Sequence, residues 1–329
     1  MAFDIMTVGF FREGFSLFII TGATGHIGNN LVRYLDRIQA NYCILSRSIS
    51  EAIQPFRDHV ALGDIFDPRF LVEHVRPGDV MIHLAAYVNV TDKDKEATFR
   101  INFDGARTIA DFCLDNHVRL VFASSVDAIY KQKGEIVREP SELFPAKLSH
   151  NYAISKAMGT AYVDDLMKHQ GLAGVIVYPS AVIGVHDYKP SAVGREIQRA
   201  MRDWVFAYID GGYNFIDVED VVKAIYAAAI SDKSGGYILS GYDISIKDLY
   251  SQMFRILHKR PIMLWLPAFI ARFGARLLPR YSPMMVDVLR ENHRYDNTRM
   301  ISDLLATLKP FDQTLNDTID WFQKKKDRS

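Results

Sequence analysis

From position 17 onward, short runs of apolar residues alternate with longer stretches in which apolar positions recur every three or four residues. That alternation is the pattern of parallel strands joined by crossover helices. Residues 17–21, 42–46, 80–85, 120–124 and 174–178 read as buried strands, and 27–38, 68–75, 97–116 and 152–169 as the helices between them. The pattern predicts an α/β fold built on a doubly wound parallel sheet.

Past Pro179 the regularity weakens, and Gly211-Gly212, Gly235-Gly236, Pro261, Pro267, Pro279 and Pro283 punctuate the chain. Residues 215–229 are the exception: Asp220 can cap a helix whose apolar face carries Val221, Val222, Ile225 and Ala228. The expected organisation is an N-terminal extension over 1–16 and a sheet domain over 17–180 to which 215–230 return. A smaller C-terminal lobe takes 181–214 and 231–329. There is no internal repeat or low-complexity tract, and 324–328 read as a solvated end.

Composition narrows the partners. Of 329 residues 49% are hydrophobic and 24% charged, which suits one or two globular units with a sizeable core. The 39 basic residues balance 39 acidic ones, so no net field draws the chain to nucleic acid or to an anionic membrane, although the balance leaves room for local patches. Cys43 and Cys113 each lie in an apolar run and make no disulfide framework, which fits a reducing cytoplasm. Asp4, Arg12 and Glu13 interrupt the start of the chain in a way a secretory signal does not tolerate. No later run reaches the roughly 18–20 uncharged apolar residues that span a bilayer. A soluble, cytoplasmic chain without stable membrane insertion is expected.

Candidate chemistry begins at Thr21-Gly22-Ala23-Thr24-Gly25-His26-Ile27-Gly28, where three glycines stand between a strand and an amphipathic helix. Their missing side chains permit a tight turn, close approach of backbone to a pyrophosphate and close packing of helix on strand. The same residues also fit a plain tight turn. Asp64, followed by Ile65, is suited to holding an adenine amino group, though it too can be a turn residue. The second strand ends in Ser46-Arg47-Ser48 with no carboxylate for a ribose 2′-hydroxyl; Arg47 and the serines offer donors to a 2′-phosphate instead. That favours NADP (NADPH), with NAD possible.

Tyr152 and Lys156 are one helical turn apart and project from one face. The lysine charge would lower the tyrosine pKa and let it exchange a proton with a substrate oxygen near neutral pH. Ser124 and Ser125 end the fourth predicted strand, at the edge where open sheets bind ligands, and one hydroxyl can orient a reacting carbonyl while the other serves the turn.

Together these residues resemble the extended short-chain dehydrogenase/reductase family, the NAD-dependent epimerase/dehydratase superfamily. Its pattern runs TGxxGxxG, an acidic adenine contact, an Asn, a Ser or Thr, and YxxxK. The likeness extends from about Leu17 to beyond Gly241, through 21–28, Asp64-Ile65, His83-Leu84-Ala85-Ala86, Asn102 with Gly105, Ser125, and Tyr152 with Lys156. It implies a Rossmann sheet that binds the dinucleotide and a lobe that binds substrate. It further implies that Tyr152 is the general acid/base, Ser125 its hydroxyl partner, Lys156 a contact of the nicotinamide ribose and Asn102 a support of the site. Leu84, Ala85 and Ala86 would lie along the cofactor, and Pro179 with Ala181 and Val182 would meet the nicotinamide amide.

Two departures point within the family. Ser125 stands one residue further from Tyr130 than in sugar-nucleotide epimerases, and Lys131 stands where those often carry Gly. The match is similar to the dihydroflavonol reductase and 3β-hydroxysteroid dehydrogenase branch, whose members act on lipophilic or aromatic carbonyls. The first expectation is therefore an NAD(P)-dependent reductase or dehydrogenase acting on a small-molecule carbonyl or alcohol. An epimerase or dehydratase is the alternative, although Val126 leaves the dehydratase Asp-Glu pair incomplete and Asp127 reads as a turn residue. A dinucleotide-sensing protein without catalysis is the third.

Tyr87, Asn89, His186, Tyr188 and Arg195 fall in segments that face the cleft in the resembling family. Residues 264–273 combine apolar side chains with arginines and can line a lipophilic pocket, lie on a membrane surface or pack as an ordinary helix, which is the default. His26, His83, His186 and His293 show no metal-ligand spacing, so no metal is expected. Helices 97–116 and 152–169 can form a homodimer contact.

Overall fold

Four consecutive buried residues, Phe18–Thr21, form β1, as expected of a parallel strand covered by helices on both faces. The computed structural model describes residues 17–88, 94–132, 134–277, 283–291 and 293–327. After β1 come α1 (His26–Arg37), β2 (Tyr42–Ser46), β3 (Val60–Leu62), α2 (Pro68–His74) and β4 (Val80–His83). Next are α3 (Lys95–Phe99), α4 (Gly105–Asp115), β5 (Arg119–Ala123), β6 (Ile136–Val137), α5 (Asn151–His169) and β7 (Gly174–Pro179). The chain continues through β8 (Ala181–Ile183), α6 (Ala192–Arg202), β9 (Val205–Tyr208), β10 (Gly212–Asp217), α7 (Val218–Ile230), β11 (Gly235–Leu239) and β12 (Tyr242–Ser245). It ends with α8 (Ile246–Ile256), β13 (Ile262–Trp265), α9 (Ala268–Leu277), α10 (Pro283–Glu291), β14 (Arg294–Tyr295), α11 (Thr298–Asp303) and α12 (Phe311–Asp327).

The main sheet is parallel, in the order β11-β7-β5-β4-β1-β2-β3. Successive strand residues point to opposite faces. Ile20, Ile44, Ile82, Val121 and Val175 therefore join the core under α1 and α7, while Ile19, Leu45, Met81, Leu120 and Ile176 join the core under α4 and α5. The strand order reverses between β1 and β4, and a doubly wound sheet opens its ligand crevice at the carboxyl ends there.

All five strands expected from the apolar runs lie in the main sheet, which has two more. β3 escapes the pattern because it is three half-buried or exposed edge residues, and β11 because it begins with two glycines. β4 stops at His83, two residues early: the Leu84 amide turns to the Thr21 carbonyl (3.2 Å) and the Ala85 amide to the Thr21 hydroxyl (3.4 Å). The cap of α7 also needs correction. Asp217, in extended backbone, accepts from the Glu219 amide at 2.6 Å, whereas Asp220 lies inside the first turn and accepts from the Lys309 amide.

A third core gathers Ile197, Phe206, Phe215, Met253, Leu315 and Phe322. It lies among α6, α8, α12 and a three-stranded sheet ordered β12-β10-β8. β9 pairs with β13, and β6 with β14. Among the described residues no helix is long and apolar enough to cross a membrane, and no three His, Cys, Asp or Glu side chains converge in a metal-binding group.

Candidate active site

The glycine turn follows directly on β1. Gly22 has φ +75°, and a Cβ there would stand 2.5 Å from the Ala85 nitrogen. A Cβ on Gly28 would run into the Gly22 carbonyl, whereas one on Gly25 would meet only that carbonyl oxygen, at 3.3 Å. So Gly22 and Gly28 close the turn, and Gly25 leaves its outer face open. Gly25 caps α1 with no side-chain bond and no acidic residue follows in the first turn, which keeps the amide end of the helix suited to an anion. Thr24 lies half-buried in the turn. The His26 ring points away from it, to the Val185 carbonyl at 3.0 Å; burial lowers its pKa against the pull of Asp187.

At the end of β2 the Ser46 hydroxyl is bonded to the Ser48 carbonyl (2.8 Å). Arg47 is exposed, without an ion pair among the described residues. Asp64 accepts from the Phe66 amide (3.1 Å), and Ile65 lies beside Gly105. Pro179 ends β7; Ala181 and Val182 open β8, where they pair with Phe215 and Ile216.

The candidate catalytic residues meet where β5 and α5 face the crevice. Ser125 follows β5, accepts from the Asp127 amide (3.1 Å) and is close enough to the Tyr152 phenol to lower its pKa. Ser124 instead turns to Thr160 on α5, at 2.6 Å, so the two serines divide the work. Lys156 is buried; its Nζ donates to the Ala123 carbonyl (2.5 Å) and lies 4.9 Å from the Phe122 ring centre. Burial brings its pKa down to about 7.

The expected tuning of Tyr152 by Lys156 is not what the geometry delivers. The phenol is pushed upward, first by burial and then by the Asp127 carboxylate, and only the Ser125 bond pulls it down. Lys156 is turned toward the strand end and is not among the influences on the phenol.

Asn102 sits where α3 and α4 meet, in one wider π-type turn, Arg100–Asp104, a local distortion that functional sites often use. There its amide side chain receives the Tyr87 N–H (2.8 Å) and donates to the Tyr87 carbonyl (3.1 Å) and to Ser155 (3.0 Å). Ser155 in turn donates to the Tyr152 carbonyl (2.9 Å). One side chain thus ties the loop after β4, through Leu84, Ala85 and Ala86, to the first turn of α5.

Beside Tyr152 stands a polar cluster not assembled from sequence. Asp127 pairs with Lys131 at 3.3 Å and accepts from the Tyr213 hydroxyl at 3.1 Å; Lys131 lies 5.7 Å from the Tyr295 ring centre. Burial alone would lower the Lys131 pKa, but Asp127 and Tyr295 carry it above its ordinary value. Tyr213 is raised far up by burial and by Asp127. Asp127 and Lys131 were visible as departures from the family pattern; Tyr213 and Tyr295 come from distant strands and carried no signal.

The substrate candidates scatter. Tyr87 is exposed beside Asn102, and Asn89 lies outside the described residues. His186 stacks on Tyr188 and meets Trp321 edge-on, and burial, then the Arg33 charge, lower its pKa to about 4. The Tyr188 hydroxyl accepts from Arg33 on α1 (3.2 Å). Arg195 is exposed on α6 and donates to the Pro190 carbonyl. The bonds of His186, Tyr188 and Arg195 run to α1, α12 and their own loop. Asn29 and Asn30, unremarked in sequence, hold that loop through the carbonyls of His186 and Val185.

A parallel sheet with a glycine-lined crevice, and a Ser, Tyr and Lys at its carboxyl edge, defines the class: an NAD(P)-dependent enzyme of the extended short-chain dehydrogenase/reductase type. The chain belongs to the NAD dependent epimerase/dehydratase family, whose model matches residues 18–238. It is 30% identical to a dihydroflavonol reductase-like protein of Synechocystis sp., over 93% of this chain and 94% of that one. It is 27% identical to sterol demethylase protein B of Methylococcus capsulatus, over 93% and 98%. Among solved structures it is similar to gox2253, with TM-score 0.81 and 23% identity over 94% of this chain and 98% of that one, a likeness of fold.

Proposed function

We propose that the chain is a reductase or dehydrogenase that moves a hydride between NADP(H) and a lipophilic carbonyl or alcohol. The observation that carries this reading is the convergence of buried Ser125 after β5 with buried Lys156, whose ammonium reaches the Ala123 carbonyl at the carboxyl end of that strand, one helical turn after Tyr152 on α5. The turn fits a dinucleotide, because a Cβ would fill the space at Gly22 and Gly28 while Gly25 stays open. Thr21, Gly22, Thr24, Gly25, His26, Ile27 and Gly28 would hold the phosphates, and Asp64 and Ile65 the adenine. Leu84, Ala85, Ala86, Pro179, Ala181 and Val182 would flank the nicotinamide. When bound, the dinucleotide supplies or accepts the hydride.

In the reducing direction Tyr152 gives its phenolic proton to the substrate oxygen, while Ser125 orients that oxygen. The raised tyrosine pKa suits a proton donor, since the phenol stays protonated at neutral pH. The names of the relatives, a dihydroflavonol reductase-like protein and sterol demethylase protein B, support a lipophilic substrate. Within the family an epimerase or dehydratase reading is weakened by Val126 after the catalytic hydroxyl and by Asp127 being engaged with Lys131 and Tyr213.

The test is NADPH oxidation across a panel of ketosteroids, flavonoid ketones and aldehydes. Turnover is expected with at least one lipophilic ketone and a loss of about 10²–10⁴-fold in Tyr152→Phe, the usual worth of an acid–base group. Turnover of a sugar nucleotide without net NADPH consumption would overturn the reading. Although the family is described as NAD dependent, exposed Arg47 at the end of β2 supports NADP. Tighter binding of NADPH than NADH, lost in Arg47→Ala, is the expected titration result.

A further inference from the structure

The helix α9 is turned inside out. Ala268, Ala271 and Ala275, its small residues, pack toward Ile209, Val286 and Leu289, while Phe269, Ile270 and Phe273 are 74%, 45% and 64% exposed. An ordinary surface helix buries its bulky residues and shows its small or polar ones. The preceding ribbon shows the same inversion. Phe206 faces the lobe core, and Val205, Ile262 and Leu264, paired in β9 and β13, stand exposed on the other side, with Trp204 and Trp265 exposed at the ribbon ends. Only Leu266 and Pro267 separate ribbon from helix. Exposed apolar surface this extensive marks an interface rather than a resting surface.

Charge identifies the occupant. From 249 to 286 the chain has no carboxylate and carries Arg255, Lys259, Arg260, Arg272, Arg276 and Arg280. Arg272 pairs with Asp287, and Lys259 caps carbonyls at the end of α6, 4.7 Å below the Trp204 ring centre. Arg255, Arg260 and Arg276 are exposed and have no carboxylate partner among the described residues. A two-fold contact between copies would set like charges against each other. Beside β9, Asp203 is already held by Arg199 and Arg202, and Asp210 is the exposed carboxylate at the far end. With Arg276 three residues after Phe273 on α9 and Arg260 two residues before β13, bulky apolar side chains flanked chiefly by cations match the interface of a bilayer with anionic headgroups.

We propose that the ribbon β9–β13 and the outer face of α9 dock the protein peripherally on an anionic lipid bilayer. Docking does not depend on the chemistry assigned to Tyr152, so its test needs no substrate. The full chain is sedimented with vesicles of phosphatidylcholine alone and of phosphatidylcholine mixed equally with phosphatidylglycerol. Binding to the anionic vesicles is expected, falling as salt rises, with a blue shift of tryptophan emission, because Trp204 and Trp265 are two of three tryptophans. Phe269→Ser with Phe273→Ser should abolish it, and Arg276→Ser should weaken it about fivefold, the worth of one cation at such a surface.

A Val72→Ser control, at an exposed apolar residue on α2, should bind as the parent does. Parent chain left in the supernatant with anionic vesicles and unshifted in emission would overturn the proposal, and so would a double phenylalanine variant that binds as the parent does. So would a dimer in sedimentation that the double variant dissociates, since that assigns the face to a second copy. Should the double variant melt lower than the parent, the tryptophan shift of the parent decides.

Discussion

Burial first, then the Asp127 carboxylate, raises the Tyr152 pKa, and Ser125 lowers it, so neighbours from the end of β5 and the turn after it adjust what burial sets. Asp127→Asn removes the raising charge and leaves Lys131 uncompensated, two changes of the same sign. The alkaline limb of the kcat/KM profile for reduction should move down by about one pH unit, the scale of a nearby charge, and an unmoved limb would show that Asp127 does not act on Tyr152. His83 makes a second case. Burial first, then the Lys156 charge, lower its pKa to about 3, while its Nδ1 shares a hydrogen bond with Thr21 Oγ1 at 2.8 Å. Between pH 3 and its ordinary value near 6.5 the unfolded chain binds a proton that the folded chain refuses, so stability rises with pH across that window and falls on acidification. The loss reaches about 2 kcal/mol by pH 5. Urea unfolding at pH 7.5 and 5 should show that slope in the parent and its reduction in His83→Asn.

At the scale of elements, the site depends on how closely α5 approaches the π-type turn. Gly159 makes that approach: a Cβ there would lie 2.6 Å from the Asn102 carbonyl oxygen and 3.0 Å from the Ala106 Cβ. Helix propensity favours Gly159→Ala by about 1 kcal/mol, but overpacking against backbone costs typically 1–3 kcal/mol, and the close carbonyl decides for the cost. Net destabilisation of about 1–2 kcal/mol in denaturant unfolding is expected, together with a fall in kcat from displacement of Asn102. A stabilised variant would show that α5 and the turn give way more easily than their spacing indicates. The apolar runs and the 3.6-residue period made α1, α2, α4, α5, α7 and five strands legible in the sequence. The π-type turn, the early end of β4 and the cap at Asp217 were not, since each is decided by which backbone group reaches a partner across the fold.

At the scale of the molecule, the C-terminal helix is fastened to the sheet domain through Lys309. Its ammonium meets Asp217 (3.3 Å), Glu219 (3.1 Å) and Asp317 (2.7 Å), and its amide donates to Asp220. Burial pulls its pKa down, but the three carboxylates win and raise it. Lys309→Met strands the buried Asp217 carboxylate, which should cost about 3 kcal/mol and free α12 first, read as faster amide exchange there than in α1; an unchanged melting temperature would remove Lys309 as the fastening. Residues of α7 join the core under the main sheet, β11 forms its edge, and Tyr213 of the smaller sheet reaches Asp127.

By itself the sequence determined the glycine turn, the doubly wound sheet and the Ser, Tyr and Lys candidates, because a turn, a period and a one-turn spacing are local properties of the backbone. Tertiary structure alone decided that Lys156 turns to the strand end, that Tyr213 and Tyr295 join Asp127, and that α9 shows its phenylalanines. A period reveals that a face exists, while only packed neighbours settle what that face meets.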